Sequence, residues 1–188
     1  MKFIERLSLQ SDLNLANEAA HQIIEDAGGW QQTGNQIGLI RRTETPPNKW
    51  TEGVGSLRDT TLTERDFQLW NIDSHNYIRQ QIDRLKDHLN IETGRIRIMR
   101  LDSHRGLSVH SDKELRYHLV LKTNPRAHFG CYVGRDDLVL PQYSDESLFG
   151  INYHLPQDGY WYQVDTRRGH WVYNGGPDER IHIVVCGV

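Results

Sequence analysis

The sequence predicts a mainly β fold, an all-β jelly roll or barrel with flanking helices, and two observations predict it. Beyond Gly94 the chain breaks into short β-prone runs separated by Gly, Pro, Asp and Asn, the texture of many short antiparallel strands. Ahead of Gly94, only two stretches carry apolar residues at helical spacing. The 188 residues suit one domain, and no linker, repeat or low-complexity segment divides them. Residues 1–93 are therefore expected as helices, strand and loop packed on a jelly-roll core formed by residues 94–188.

The first helix is expected over Ser11 to Ala27, where Leu13, Ala16, Ala20, Ile23, Ile24 and Ala27 form a stripe and Gly28-Gly29 supplies the stop. Residues 30–59 are rich in Gly, Thr, Asn and Pro around one apolar run, Ile37-Gly38-Leu39-Ile40, and read as a strand plus a long loop, in position to act as a lid. The second helix is expected from Ser74 to Leu89, with Ile78, Ile82, Leu85 and Leu89 opposite Arg79, Asp83, Lys86 and Asp87, packing on a sheet as an outer support. Strands are expected at Arg95–Leu101, Leu115–Lys122, His128–Val133, Leu138–Leu140, Phe149–His154, Trp161–Val164, Trp171–Tyr173 and Ile181–Val185.

Composition narrows the function classes. With 22 basic and 25 acidic residues the formal charge is -3, and the longest basic runs are Arg41-Arg42 and Arg167-Arg168, so no nucleic-acid partner is expected. The start, MKFIERLSLQSDLN, has no apolar stretch after its charges, and nowhere do about eighteen apolar residues run together, so neither a leader nor a membrane span is expected and the location reads as cytoplasmic. Cys131 and Cys186 lack Cys-x-x-Cys spacing and read as buried thiols in a reducing compartment, not as a disulfide or zinc site. A mean hydropathy of -0.68 with 37% hydrophobic residues points to polar loops and a polar site around a modest core.

His110 and Asp112 stand two apart, a spacing that puts both side chains on one face of a strand. With His170 they make two imidazoles and one carboxylate, a set that can hold Fe(II) on one face and leave its other positions open to a cosubstrate and O₂. Among ten histidines a lone His-x-Asp also arises without meaning. Asp102-Ser103-His104 offers an equivalent pair, but no His and Arg follow it at matching distances, and it reads as loop. Asn174-Gly175-Gly176-Pro177 reads as a turn between two strands, placing His170 and Arg180 on neighbouring antiparallel strands.

Arg180-Ile181-His182 and Arg116-Tyr117-His118 repeat an Arg-x-His face opposite an aliphatic one. Two readings stay open: these faces meet solvent, as charged residues on half-buried strands do, or the arginines lie inside the barrel and each needs an anionic partner such as a ligand carboxylate held by both guanidinium arms. Trp161, Trp171, Tyr160 and Tyr173 are neighbours of the site in sequence, and either wall it or are ordinary strand packing.

The run HSDKELRYHLVLKTNP followed by GHWVYNGGPDERIHIVV resembles the aspartyl/asparaginyl β-hydroxylase family of Fe(II)- and 2-oxoglutarate-dependent dioxygenases, and within it the small bacterial proline hydroxylases, across residues 95–188. Gly159-Tyr160-Trp161-Tyr162 fills the family's Gly-x-x-Trp/Tyr element. The resemblance implies a double-stranded β-helix (jelly roll, cupin-like) in which His110, Asp112 and His170 bind iron and Arg180 forms a salt bridge to the distal carboxylate of 2-oxoglutarate. It further implies that His118 contacts the cosubstrate's iron-proximal end and that Arg116 holds a substrate carboxylate or orders the site. Fe(II), 2-oxoglutarate and O₂ are the implied cofactor and cosubstrates, with ascorbate as a reductant. Asp112 matches the proline-hydroxylase branch where the animal peptidyl-aspartyl branch has Gly. The expected substrate is thus a free proline-like amino acid or another small carboxylate, the alternatives being a peptide or protein side chain, or a binding module without redox chemistry. Oligomeric state stays open.

Overall fold

The computed structural model describes residues 2–57, 59, 61–133 and 149–188. In chain order the elements are β1 (Ile4–Gln10), α1 (Leu13–Asp26), α2 (Trp30–Thr33), β2 (Gln36–Gly38), β3 (Ile40–Arg41), a 3-10 turn at Glu64–Asp66, β4 (Leu69–Trp70) and α3 (Tyr77–Leu89). There follow β5 (Thr93–Leu101), β6 (Arg105–His110), β7 (Arg116–Lys122), β8 (Ala127–Val133), β9 (Phe149–Tyr153), β10 (Tyr160–Val164), β11 (His170–Asn174) and β12 (Arg180–Gly187). Among the described residues no helix is long and apolar enough to cross a membrane.

Capping side chains set the ends of both long helices. Asp12 accepts hydrogen bonds from the amides of Asn14 and Leu15 to start α1, and Gly28 and Gly29, both at positive φ, end it as expected. The second helix starts later than Ser74 because the Asp73 carboxylate captures the amides of His75 and Asn76 in a turn, leaving Asn76 to cap α3 through the Ile78 amide. Asn90, left-handed at φ 51, closes it.

The strands form two facing antiparallel sheets and a small third one. The larger runs β1-β10-β7-β12-β5-β2, the smaller β6-β11-β8-β9, and β3 pairs with β4. One face of the six-stranded sheet meets the helices: Ile96, Ile98, Leu119, Trp161 and Ile183 are fully buried against Ala16 and Ile23 of α1 and Ile78, Ile82 and Leu85 of α3. Its other face meets the smaller sheet, where Leu101, Val120, Tyr162 and Val164 join Phe129, Cys131 and Val172. Sheet on sheet with helices outside is the cupin-like double-stranded β-helix.

Four expectations need correction or completion. Residues 170 and 180 do not sit on paired strands: β11 pairs with β6 and β8, β12 with β5 and β7, and the turn after Asn174 carries the chain from one sheet to the other. The buried Asn174 side chain anchors that crossing by accepting from Asn124 and donating to the carbonyls of Leu101 and Asp178. Residues 4–10 form an edge strand that no uninterrupted apolar run announces, paired among the described residues with β10 alone. The loop of residues 30–59 holds a short helix and two strands, not one. The strand expected at Leu138–Leu140 lies outside the described residues.

Candidate metal centre

His110 ends β6 and His170 begins β11, and the antiparallel register sets them directly opposite each other, ring centroids 4.3 Å apart. The register shifts immediately after, between His170 and Val172, an irregularity of the kind that re-aims side chains beside sites. Asp112 lies beyond the end of β6, not on the strand as its spacing from His110 suggests. It reaches the same place because its amide donates to the Thr166 carbonyl at 2.8 Å and its Oδ1 accepts from Arg116 at 3.0 Å. One ligand atom from each of His110, Asp112 and His170 lies within 4.8 Å of the other two, a span that small side-chain rotations close onto one ion at bonds of about 2.1 Å. The alternative pair dissolves: Asp102 binds Arg100, and His104 sits in a turn against Ser103.

Each imidazole is held in the tautomer a metal needs. Nδ1 of His110 lies 2.7 Å from the Ser108 carbonyl and Nδ1 of His170 lies 2.9 Å from the Arg168 carbonyl. A carbonyl only accepts, so both Nδ1 atoms carry the proton and both Nε2 lone pairs are free. Burial, aided by the neighbouring His110, pulls the His170 pKa down, which favours the neutral ligand form. His170 is buried while His110 and Asp112 are half-exposed, so the centre opens to solvent on their side.

The Arg-x-His faces point inward. Register pairs Val184 with both His118 and Arg97, Cys186 with Arg116, and His182 with Val120, so these residues line the between-sheet face of the large sheet. Arg116, His118, Arg180 and His182 are all buried, which removes the solvent-facing reading. Arg180 donates to Nδ1 of His182 at 3.0 Å, its only side-chain hydrogen bond among the described residues, and its guanidinium lies 5.7 Å from the Phe129 ring. Burial lowers its pKa to about 9, so at neutral pH it remains a buried cation, and no carboxylate pairs with it among the described residues. His118 and His182 are pushed well below the ordinary histidine value, by burial first and by Arg180 second, and stay neutral. Their Nε2 atoms have no hydrogen-bond partner among the described residues.

Arg116 is committed to the metal cluster. Besides Asp112 at 3.0 Å it contacts Cys186 Sγ at 2.8 Å. Of the two roles the resemblance implies for Arg116, this geometry matches ordering of the site. Arg97 differs. Its acceptors among the described residues are Gln36 Oε1 at 3.3 Å, the Gly55 carbonyl at 3.4 Å and Cys186 Sγ at 3.4 Å. Burial raises the Cys186 pKa more than the two arginines lower it, so all three acceptors are uncharged.

None of the four aromatics adjacent in sequence is placed against the metal ligands. Trp161 is buried on the helix side, its indole donating to Ser11, while Trp171 packs across Gly130 and Gly150 and Tyr173 is exposed. Tyr160 lies under Arg6. The aromatic at the centre is Phe129, stacked on His170 at 5.6 Å and edge-on to His118 at 5.4 Å. Nothing local marks it; only the register of β8 against β11 does.

No protein-family model and no curated protein matches this sequence. Among solved structures, AviO1 from Streptomyces viridochromogenes is 11% identical, with a TM-score of 0.58 over 98% of this chain and 89% of that one. A prolyl-4-hydroxylase from Pseudomonas putida is 11% identical over 98% and 91%, with a TM-score of 0.49. An oxidoreductase of the 2OG-Fe(II) oxygenase family from Burkholderia pseudomallei is 12% identical over 81% of this chain and 64% of that one, also at 0.49. At such identities the likeness is one of fold.

Proposed function

We propose that this chain is an Fe(II)- and 2-oxoglutarate-dependent dioxygenase that hydroxylates a small carboxylate-bearing molecule, a free proline-like amino acid being the first candidate. The observation that carries the reading is the company His110, Asp112 and His170 keep: a buried Arg180 that pairs with no carboxylate among the described residues and lies, like His170, against the Phe129 ring. Many folds can present a metal cluster, whereas a buried cation beside one calls for an anion.

The donors fit iron, being two imidazoles and one carboxylate with room left on the open side. Bound there, iron and 2-oxoglutarate supply the oxidising chemistry with O₂, giving succinate and CO₂ as coproducts, and ascorbate serves as an auxiliary reductant. The chain's own residues bind and orient. Arg180 takes the distal carboxylate of 2-oxoglutarate, a grip that a planar guanidinium makes with both arms. His118, edge-on to the Phe129 ring that also contacts Arg180 and His170, serves the other end of the cosubstrate. Arg116 keeps Asp112 aimed, and Phe129 keeps water from the space between the sheets. Arg97, a second buried cation on the same inner face, whose hydrogen-bond acceptors among the described residues are uncharged, supports a substrate that brings an anionic group.

The test is anaerobic reconstitution with Fe(II) and 2-oxoglutarate, then O₂ and a panel of free amino acids, with succinate assay and mass spectrometry. Expected are substrate-dependent succinate and a product gaining one oxygen, both abolished by His110→Ala. Succinate without any oxygenated amino acid overturns the substrate class and favours a peptide or protein. No succinate, together with no binding of 2-oxoglutarate in the presence of Mn(II), overturns the oxygenase reading.

A further inference from the structure

The connector between β10 and β11, residues 165–169, crosses from the large sheet to the small one and contributes no metal ligand, yet its backbone reaches two of the three. Thr166 is 1% exposed and Asp165 4%. The Thr166 carbonyl accepts the Asp112 amide at 2.8 Å, and the Thr166 hydroxyl donates to the Glu114 carbonyl at 2.7 Å. Two bonds from one residue thus grip the chain on both sides of Lys113 and fix the turn from which Asp112 projects. Two residues on, the Arg168 carbonyl accepts Nδ1–H of His170 at 2.9 Å. Asp165 holds that part of the connector: its Oδ1 accepts from Arg167 at 2.7 Å, its Oδ2 from Arg168 at 3.3 Å, and its carbonyl accepts the Arg168 amide.

We infer that Thr166 and Asp165 are positioning residues of the metal centre, Thr166 by clamping the Asp112 turn and Asp165 by holding the Arg168 carbonyl that orients His170. The inference rests on the three-residue metal cluster but not on the reaction or the substrate. Partners that orient ligands govern metal affinity almost as strongly as the ligands do. The hydroxyl of Thr166 is the informative atom, because the backbone bond to Asp112 survives its removal. A residue needed only for general stability would lower the melting temperature without changing how the folded protein binds metal.

The full chain and its variants are titrated with Co(II), reading affinity and the visible spectrum of the bound ion, and melted without metal. Thr166→Val is expected to weaken Co(II) binding about 10- to 100-fold and to alter the spectrum, and Thr166→Ser, which restores the hydroxyl, to return both. Asp165→Asn, which keeps the shape but weakens the hold of Arg167 and Arg168, is expected to weaken binding as well and provides the readout should Thr166→Val not fold. Ser11→Ala removes a comparably buried hydroxyl from the helix side, where it bonds Gln81 and Trp161, and is expected to lower the melting temperature with metal affinity unchanged. Wild-type Co(II) affinity in Thr166→Val or, failing that, in Asp165→Asn overturns the inference alone. An equal loss in Ser11→Ala overturns it too, by reducing the effect to stability. A wild-type protein that binds no Co(II) overturns the metal centre itself, and the inference with it.

Discussion

Burying a guanidinium opposite neutral groups disfavours the folded chain, and Arg180 does this beside Phe129 and His182. Two consequences run in opposite directions and separate a binding role from a structural one. Arg180→Met, of similar length and without charge, is expected to stabilise the ligand-free protein by on the order of 1–3 kcal/mol, which for a domain of this size raises the melting temperature by several degrees. The same variant is expected to lose the stabilisation that 2-oxoglutarate confers on the metal-loaded wild type. A variant that melts below wild type shows that the arginine was satisfied by the fold, and one still stabilised by 2-oxoglutarate removes Arg180 from the cosubstrate site. Arg116 is the contrasting case: it is as buried, but Asp112 and Cys186 occupy it, and the sequence alone offers no means of telling a committed arginine from a free one.

Glu64 ties the 3-10 turn of residues 64–66 to the start of β5, accepting from the backbone amide and both ends of the guanidinium of Arg95 while only 4% exposed. Burial alone would raise its pKa, but the Arg95 hydrogen bonds and charge prevail and take it from 4.5 to about 2. A carboxyl whose pKa falls on folding stabilises the fold above its unfolded value and loses that contribution as pH drops through the folded one. Glu64 therefore contributes on the order of 3 kcal/mol at neutral pH, disappearing between pH 4.5 and 2. Glu64→Gln is expected to cost about 3–5 kcal/mol at pH 7 by stranding Arg95, and to flatten acid unfolding in that window. Chemical denaturation from pH 7 to 2 checks it, and an unchanged acid limb in the variant removes Glu64 as its origin. This tie shows what kind of element the sequence hides. Helices α1 and α3 announce themselves through stripes and caps that lie within a few residues. The Glu64–Arg95 bond spans 31 positions and depends on Gly94, where any side chain would collide with Glu64, so nothing local encodes it. Strand β1 escapes for a related reason, being an edge strand in which the consecutive Glu5 and Arg6 are both exposed and break any two-residue alternation.

At the scale of the molecule, the candidate cluster is legible in the sequence and its arrangement is not. His110 and Asp112 are close in sequence, and His170 is recoverable by resemblance, but whether the turn after Asn174 closes a hairpin or crosses between sheets has no local signature. The crossing has a thermodynamic consequence. His110 and His170 lie on adjacent strands of the small sheet and Asp112 just beyond one of them, so a metal ion held by the proposed cluster would clamp that sheet alone. Arg180 belongs to the large sheet, so under the proposed function a 2-oxoglutarate held by the metal and by Arg180 would join the two sheets across the Phe129 layer. Metal alone should therefore raise the melting temperature modestly, and 2-oxoglutarate should raise it further only when metal is present. At a hundred times its dissociation constant a ligand specific to the folded state contributes about 2.7 kcal/mol, or about 5–10 °C for a chain of this length. Thermal melts with Mn(II), with 2-oxoglutarate and with both measure this directly, and chelation should reverse both increments. A full 2-oxoglutarate shift without metal would mean that Arg180 binds the anion independently of the cluster and that the two are not one site. Additive shifts, with no dependence of one ligand on the other, would separate the small sheet's metal from the large sheet's arginine in the same way.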